Sequence, residues 1–284
     1  MPTENERIVD SHIHFLDPAL LHYDWLDDVP ALKRRALPGD VDTGEYRVDA
    51  FVFVEADCRT DDAVAEVRWV AELARDDPRI AGIVGHVDLE VAEDSRASLG
   101  VFSGIDAVVG VRRLLQDAPA GFADSVPFRE GMSRFSETRL PFDICVRHWQ
   151  LGDADRLAAD FPGVTFVLDH VGKPDIRAGL AEPWRTDITR LASRPNVFCK
   201  LSGLTTEADH ESWSEEQIRP YLLHALDAFG PSRCMYGSDW PVATLATTYV
   251  RWLELILDVI SDLNPAERGR VLSATAVDVY GLER

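Results

Sequence analysis

Two histidines one residue apart, His12 and His14, follow the apolar pair Ile8-Val9 near the start of the chain. In an extended strand side chains alternate with period two, so Asp10, His12 and His14 fall on one face and Val9, Ser11 and Ile13 on the other. Two imidazoles then converge on one point, which suits a divalent metal or the polar group of a substrate. A pair of half-buried, hydrogen-bonded histidines has the same spacing, so the motif alone does not choose between structure and chemistry.

The elements that must hold this pair repeat with a simple rhythm. Apolar runs of strand length cover residues 8–14, 50–55, 80–87, 107–113, 142–146, 165–170, 197–201 and 234–239. Between and after them, segments with helical character cover 61–75, 91–102, 128–138, 153–160, 183–192, 215–229 and 245–263. A last helix begins at the first-turn proline Pro265, runs to about Tyr280 and stops at Gly281. Eight strands alternating with helices in 284 residues predict an α/β fold of the (β/α)8 TIM barrel type. An open doubly wound sheet would carry a glycine-rich turn after its first strand, and residues 10–15 contain no glycine. One domain over residues 1–284 is expected. Residues 16–49, with Pro18, Pro30 and Pro38, form a long β1-α1 loop, large enough for a lid.

A formal net charge of −20 argues against nucleic acid and anionic membrane as partners, since both are polyanions. No apolar run is long enough to span a bilayer, and residues 1–7 are polar with no signal-like apolar core. Cys58, Cys145, Cys199 and Cys234 form no C-x-x-C pair and read as buried thiols in a reducing compartment. A cytoplasmic protein is the expectation.

Barrel enzymes build their sites at the carboxyl ends of the strands. Strand one ends in His12 and His14, strand three in His86, and strand four in Arg112 and Arg113. Strand five leads into Arg147-His148-Trp149 and strand six into His170, with Lys173 just after it. Strand seven carries Lys200, and strand eight ends in Asp239-Trp240-Pro241. Five of the eight histidines therefore lie at strand ends.

His12-Ile13-His14, Leu168-Asp169-His170-Val171-Gly172-Lys173-Pro174, Lys200-Leu201-Ser202-Gly203 and Tyr236-Gly237-Ser238-Asp239-Trp240-Pro241 occur in order along essentially the whole chain. In this the sequence resembles the amidohydrolase superfamily, and within it the branch containing L-fuconolactonase, sulfomuconolactonase and pyrone-dicarboxylate lactonase. The resemblance implies an amidohydrolase-like barrel that hydrolyses a small-molecule lactone, and a sugar (aldono-)lactone or a carboxylated lactone is the expected substrate. Binuclear members of the superfamily place a carboxylated lysine at the end of strand four, where this chain has Arg112 and Arg113. One divalent metal, Zn²⁺, or none is expected, with no organic cofactor.

Lactone hydrolysis needs an attacking water, a polarised carbonyl and a proton for the departing alkoxide. Asp239 is the candidate general base. His12, His14 and His170 either ligate one Zn²⁺ together with Asp239 or donate hydrogen bonds to the carbonyl oxygen. Expected substrate contacts are Lys173, His86, His148, Trp25, Trp240 and Arg113. Adjacent strand residues face opposite ways, so Arg112 and Arg113 should not both reach the cavity, and Arg113 is preferred. Arg147 and Lys200 serve either substrate or salt bridges, and Glu55 serves as ligand, second base or arginine partner. Two other readings compete: a Zn²⁺-dependent nonoxidative decarboxylase of a muconate-type acid, and a barrel that binds a ligand without turning it over.

Overall fold

The computed structural model describes residues 6–119 and 121–283, so the polar start of the chain lies, for residues 1–5, outside the described residues. Eight strands form one parallel sheet in chain order: β1 Val9–Ile13, β2 Ala50–Val54, β3 Ile80–His86, β4 Val108–Leu114, β5 Phe142–Cys145, β6 Phe166–Leu168, β7 Val197–Leu201 and β8 Cys234–Tyr236. The sheet closes on itself where Ile13 bridges Trp240. There His14 N–H donates to the Trp240 carbonyl at 2.7 Å and Asp239 N–H to the His12 carbonyl at 2.8 Å. The fold is a (β/α)8 barrel.

Around it lie α1 Ala63–Asp76, α2 Ala92–Phe102, α3 Val126–Phe135, α4 Leu151–Asp160, α5 Trp184–Ala192, α6 Glu215–Phe229 and α7 Tyr249–Val259. The last predicted helix is three pieces, α8 Pro265–Gly269, a π-helical turn Arg270–Ala274, and α9 Thr275–Tyr280. Outward side chains such as Phe51, Phe53, Phe142 and Phe166 pack against the helices in the main core. Val9, Val52, Val54, Val84, Val167 and Met235 form a second core inside the barrel with Ala276, Val277, Tyr280 and Leu282, so the chain's last turns plug the end opposite the strand tips.

Two expectations change. The connection from β1 to β2 contains only short 3-10 turns, Asp24–Asp27, Pro30–Leu32 and Pro38–Asp40, and an antiparallel bridge between Leu16 and Ala36. Leu21, Tyr23, Leu26, Leu32 and Ala36 are buried in the main core, so this segment is a packed wall rather than a lid. The pairing of β1 with β2 also shifts register between Asp10 and Ile13. That irregularity separates Asp10 from the histidines: its carboxylate turns to the β8 side and accepts from Ser238 N–H at 2.8 Å and Tyr249 O–H at 3.0 Å.

Candidate active site

At the strand tips His12, His14, His170 and Asp239 meet, all buried. Asp239 Oδ1 lies 3.4 Å from His14 Nε2, 3.8 Å from His12 Nε2 and 4.0 Å from His170 Nε2. The two Nε2 atoms of His12 and His14 are 3.2 Å apart. Each imidazole is aimed by a partner at its other nitrogen. His14 Nδ1 meets the Val54 carbonyl at 2.7 Å, His170 Nδ1 the Ser202 hydroxyl at 2.9 Å, and His12 Nδ1 the Asp169 carboxylate at 3.1 Å. Such outer partners fix ring orientation and tautomer.

Local backbone makes the convergence possible. His170, Val171, Lys173 and Asp239 all have positive φ, between 46° and 60°, a region that costs a non-glycine residue energy and persists where the surroundings enforce it. Gly203, at φ 65°, lies against His170, and a Cβ there would collide with the imidazole Nδ1. A Cβ on Gly237 would stand 2.7 Å from the Cβ of His12.

Beneath the histidines runs a buried ionic network. Lys200 Nζ contacts Asp143 at 2.5 Å, Asp169 at 3.1 Å and His12 Nδ1 at 3.1 Å. Arg112 donates to the Glu55 carboxylate and carbonyl, both at 2.6 Å, and to Asp169 at 3.1 Å. Tyr280 O–H, from the plug, reaches both oxygens of Asp143 at 2.9 Å. Burial pushes Asp143 up to about 6 and His170 down to about 4, and it holds His12 well below the ordinary histidine value. Burial would raise Asp239 too. Facing His170, and then His14 and His12, overrides it and leaves the carboxyl well below the usual carboxylate range, ionised at neutral pH.

The donor set fits a single cation. The Val54 carbonyl can only accept, so it fixes a proton of His14 on Nδ1 and leaves the Nε2 atom facing His12 Nε2 and Asp239. His12, His14 and Asp239 offer ligand atoms within 4.8 Å of one another. Two fillings satisfy this cluster of acceptors: a divalent ion, or a proton on His12 Nε2 with Lys200 donating to Nδ1.

Over the cluster opens a cavity of about 220 Å³. Besides His14, His170 and Asp239 it is lined by Leu16, Trp25, Ala56, Asp57, Arg112, Leu114, Gln116, Asp117, Cys145, Lys173, Thr206 and Val242. Trp25 and Lys173 therefore stand where the sequence places them. Arg113 does not: Arg112 turns inward and Arg113 outward to Glu90 and Asp88, because β4 has the opposite phase to the one preferred. His86 is buried against Asp88 at 3.0 Å, and Trp240 is buried beside Phe15. His148 meets the Lys173 carbonyl at 3.3 Å and the ring of Trp149. None of these three lines the cavity. Lys200 is fully buried in its ion pairs, and Arg147 pairs with Asp117. Asp57, Gln116, Asp117 and Thr206 have no role in the sequence reading, and Cys145 figures there only as a buried thiol.

Comparison with known proteins adds three observations. The family model described as Amidohydrolase matches residues 9–282. An L-fucono-1,5-lactonase of Burkholderia multivorans is 34% identical, with 96% of each chain covered, and another of Burkholderia ambifaria is 31% identical over 97% of this chain and 96% of its own. A crystal structure of a Burkholderia multivorans amidohydrolase with bound zinc superposes with a TM-score of 0.86 at 34% identity, covering 98% of this chain and 100% of that one.

Proposed function

The chain belongs to the amidohydrolase family, and on that premise we propose that it hydrolyses a neutral, hydroxylated sugar lactone. The observation that carries the reading is the convergence of three imidazole Nε2 atoms on Asp239 Oδ1 beneath an open cavity, in a chain 34% identical to an L-fucono-1,5-lactonase. The lining favours an uncharged ring. Of the cations in the lining, Arg112 is committed to Glu55 and Asp169 and Lys173 faces Glu207, while the unpaired Asp57 would repel an anionic substrate.

In the reaction Asp239 takes the proton of the attacking water at a carboxylate oxygen. The new C–O bond forms at the lactone carbonyl carbon, the ring C–O bond breaks, and the same proton passes to the departing alkoxide to give the hydroxy acid. His170, whose Nδ1 accepts from the Ser202 hydroxyl, presents its Nε2–H to the cavity as the donor toward the reacting carbonyl, and His12 backs it from between Asp169 and Lys200. A divalent ion held by His12, His14, His170 and Asp239 would polarise the carbonyl oxygen. The four buried, free cysteines suit a reducing cytoplasm. Among the described residues no helix is long and apolar enough to cross a membrane.

A pH-indicator assay over aldonolactones and carboxylated lactones, run with and without a chelator, tests the reading. Acid release from aldonolactones, with carboxylated rings slower, is expected from the wild type, and Asp239→Asn should abolish it. Full activity in Asp239→Asn would overturn the mechanism.

A further inference from the structure

We propose that Asp57, set beside Trp25, is the residue that reads the ring hydroxyls of the substrate. The inference rests on the lactonase reading above and extends it to a specificity residue. Asp57 follows β2 by three positions and lines the cavity together with Ala56 and Trp25. The Trp25 indole N–H donates to the Ala56 carbonyl at 2.9 Å, which ties the ring to the backbone next to Asp57. One wall of the cavity therefore presents an aromatic side chain and a carboxylate side by side. An aromatic face covers the C–H side of a sugar ring, and a carboxylate accepts from one or two neighbouring hydroxyls.

The placement of Asp57 is costly in ways that folding alone does not explain. Its backbone is left-handed, at φ 54°, in a residue that is not glycine. Its N–H is fastened to Glu55 Oε2 at 2.8 Å, so the turn is fixed by an acid that already serves Arg112. Among the described residues the Asp57 carboxylate has no hydrogen-bond or ion-pair partner. The residue is exposed at the mouth of the cavity, and the protein packed around it and then the Glu55 charge push its pKa upward. Neighbouring acids are engaged: Glu55 by Arg112, Asp88 by His86 and Arg113, and Asp117, which also lines the cavity, by Arg147. An acid held in strained backbone, facing the cavity with its acceptors free, is arranged for a ligand that donates.

The test compares wild type, Asp57→Asn and Asp57→Ala on a fully hydroxylated aldonolactone and on a set of its monodeoxy analogues, with circular dichroism and thermal unfolding to confirm the fold. Asparagine keeps the size and tolerates the left-handed turn. Both variants should lose about 10- to 100-fold in kcat/KM on the parent lactone, mostly through KM. At least one deoxy analogue should show no difference between wild type and variants, because the hydroxyl that Asp57 accepts is missing. Equal losses on every analogue would mark Asp57 as structural, and unchanged kinetics in both variants would remove it from recognition; either overturns the inference while leaving the lactonase reading intact. A wild type silent on every lactone would remove that reading and the assignment with it.

Discussion

Lys200 Nζ lies 3.1 Å from His12 Nδ1, between the carboxylates of Asp143 and Asp169. An ammonium can only donate, so Lys200 and Asp169 compete at that nitrogen: if Lys200 wins, His12 carries its proton on Nε2, and if Asp169 wins, on Nδ1. The tautomer of a site histidine is thus decided between two buried groups, Lys200 and Asp169, that no substrate can reach.

Replacing Lys200 by methionine keeps the volume and leaves Asp143 and Asp169 buried without their shared counter-charge. Breaking one partner of a buried ionic set costs about 3–5 kcal/mol, and a loss of that order is expected in urea unfolding. Adding Asp143→Asn to Lys200→Met should recover part of the loss. No recovery in the double variant would mean that the two residues do not act as a pair.

Gly203 tolerates no side chain. Alanine there takes on the left-handed penalty of about 1–2 kcal/mol and drives its methyl into His170 Nδ1. Gly203→Ala should fold with a lowered melting temperature and lose about 100-fold in kcat, since a misplaced site group costs rate more than affinity. Steady-state kinetics at matched folded fraction check this, and a wild-type kcat would refute the packing argument.

Glu66 is buried, and burial followed by the nearby Glu55 charge raises its pKa well above the ordinary glutamate value. The folded state therefore keeps a proton that the unfolded chain releases above about pH 4.5. As pH rises from there to the folded pKa, wild-type stability falls relative to Glu66→Gln, by at most about 1.4 kcal/mol per pH unit. Denaturation of both proteins at pH 4 and pH 8 should give similar stabilities at the lower pH and a more stable variant at the higher. A gap that does not widen with pH would show that Glu66 is ionised in the fold.

Metal content separates the two fillings of the histidine cluster. After dialysis against zinc and removal of excess, elemental analysis should find about one ion per chain in wild type and much less in His14→Ala. Wild type that retains no zinc and stays active in chelator would assign the gap between His12 and His14 to a proton.

The barrel was legible because each strand is a short apolar run set apart by helical or turn-rich segments, and no predicted strand misses its observed counterpart. Phase was not legible. Alternation shows that Arg112 and Arg113 diverge, but only the register of β4 between β3 and β5 says which one turns inward. The irregularity in β1 is equally silent in sequence, and it moves Asp10 from the histidines to Ser238 and Tyr249. His12, His14 and His170 stood out because histidine is rare, eight in the chain, and they sit at strand tips, and Asp239 because it ends the last strand just before Trp240-Pro241. Asp57 lies past the end of β2, and nothing before its left-handed turn is seen marks it among 49 acidic residues.

The plug that Tyr280 makes beneath Asp143 carries a consequence for how the protein comes into being. His12 and Tyr280 are separated by almost the whole barrel sequence, yet hydrogen bonds link them through Asp143 and Lys200. A nascent chain can form most of its strands and still lack the contact that anchors this ladder. Completion of the site therefore waits for Tyr280, and a stop codon shortly before position 280 would be felt at the opposite end of the barrel.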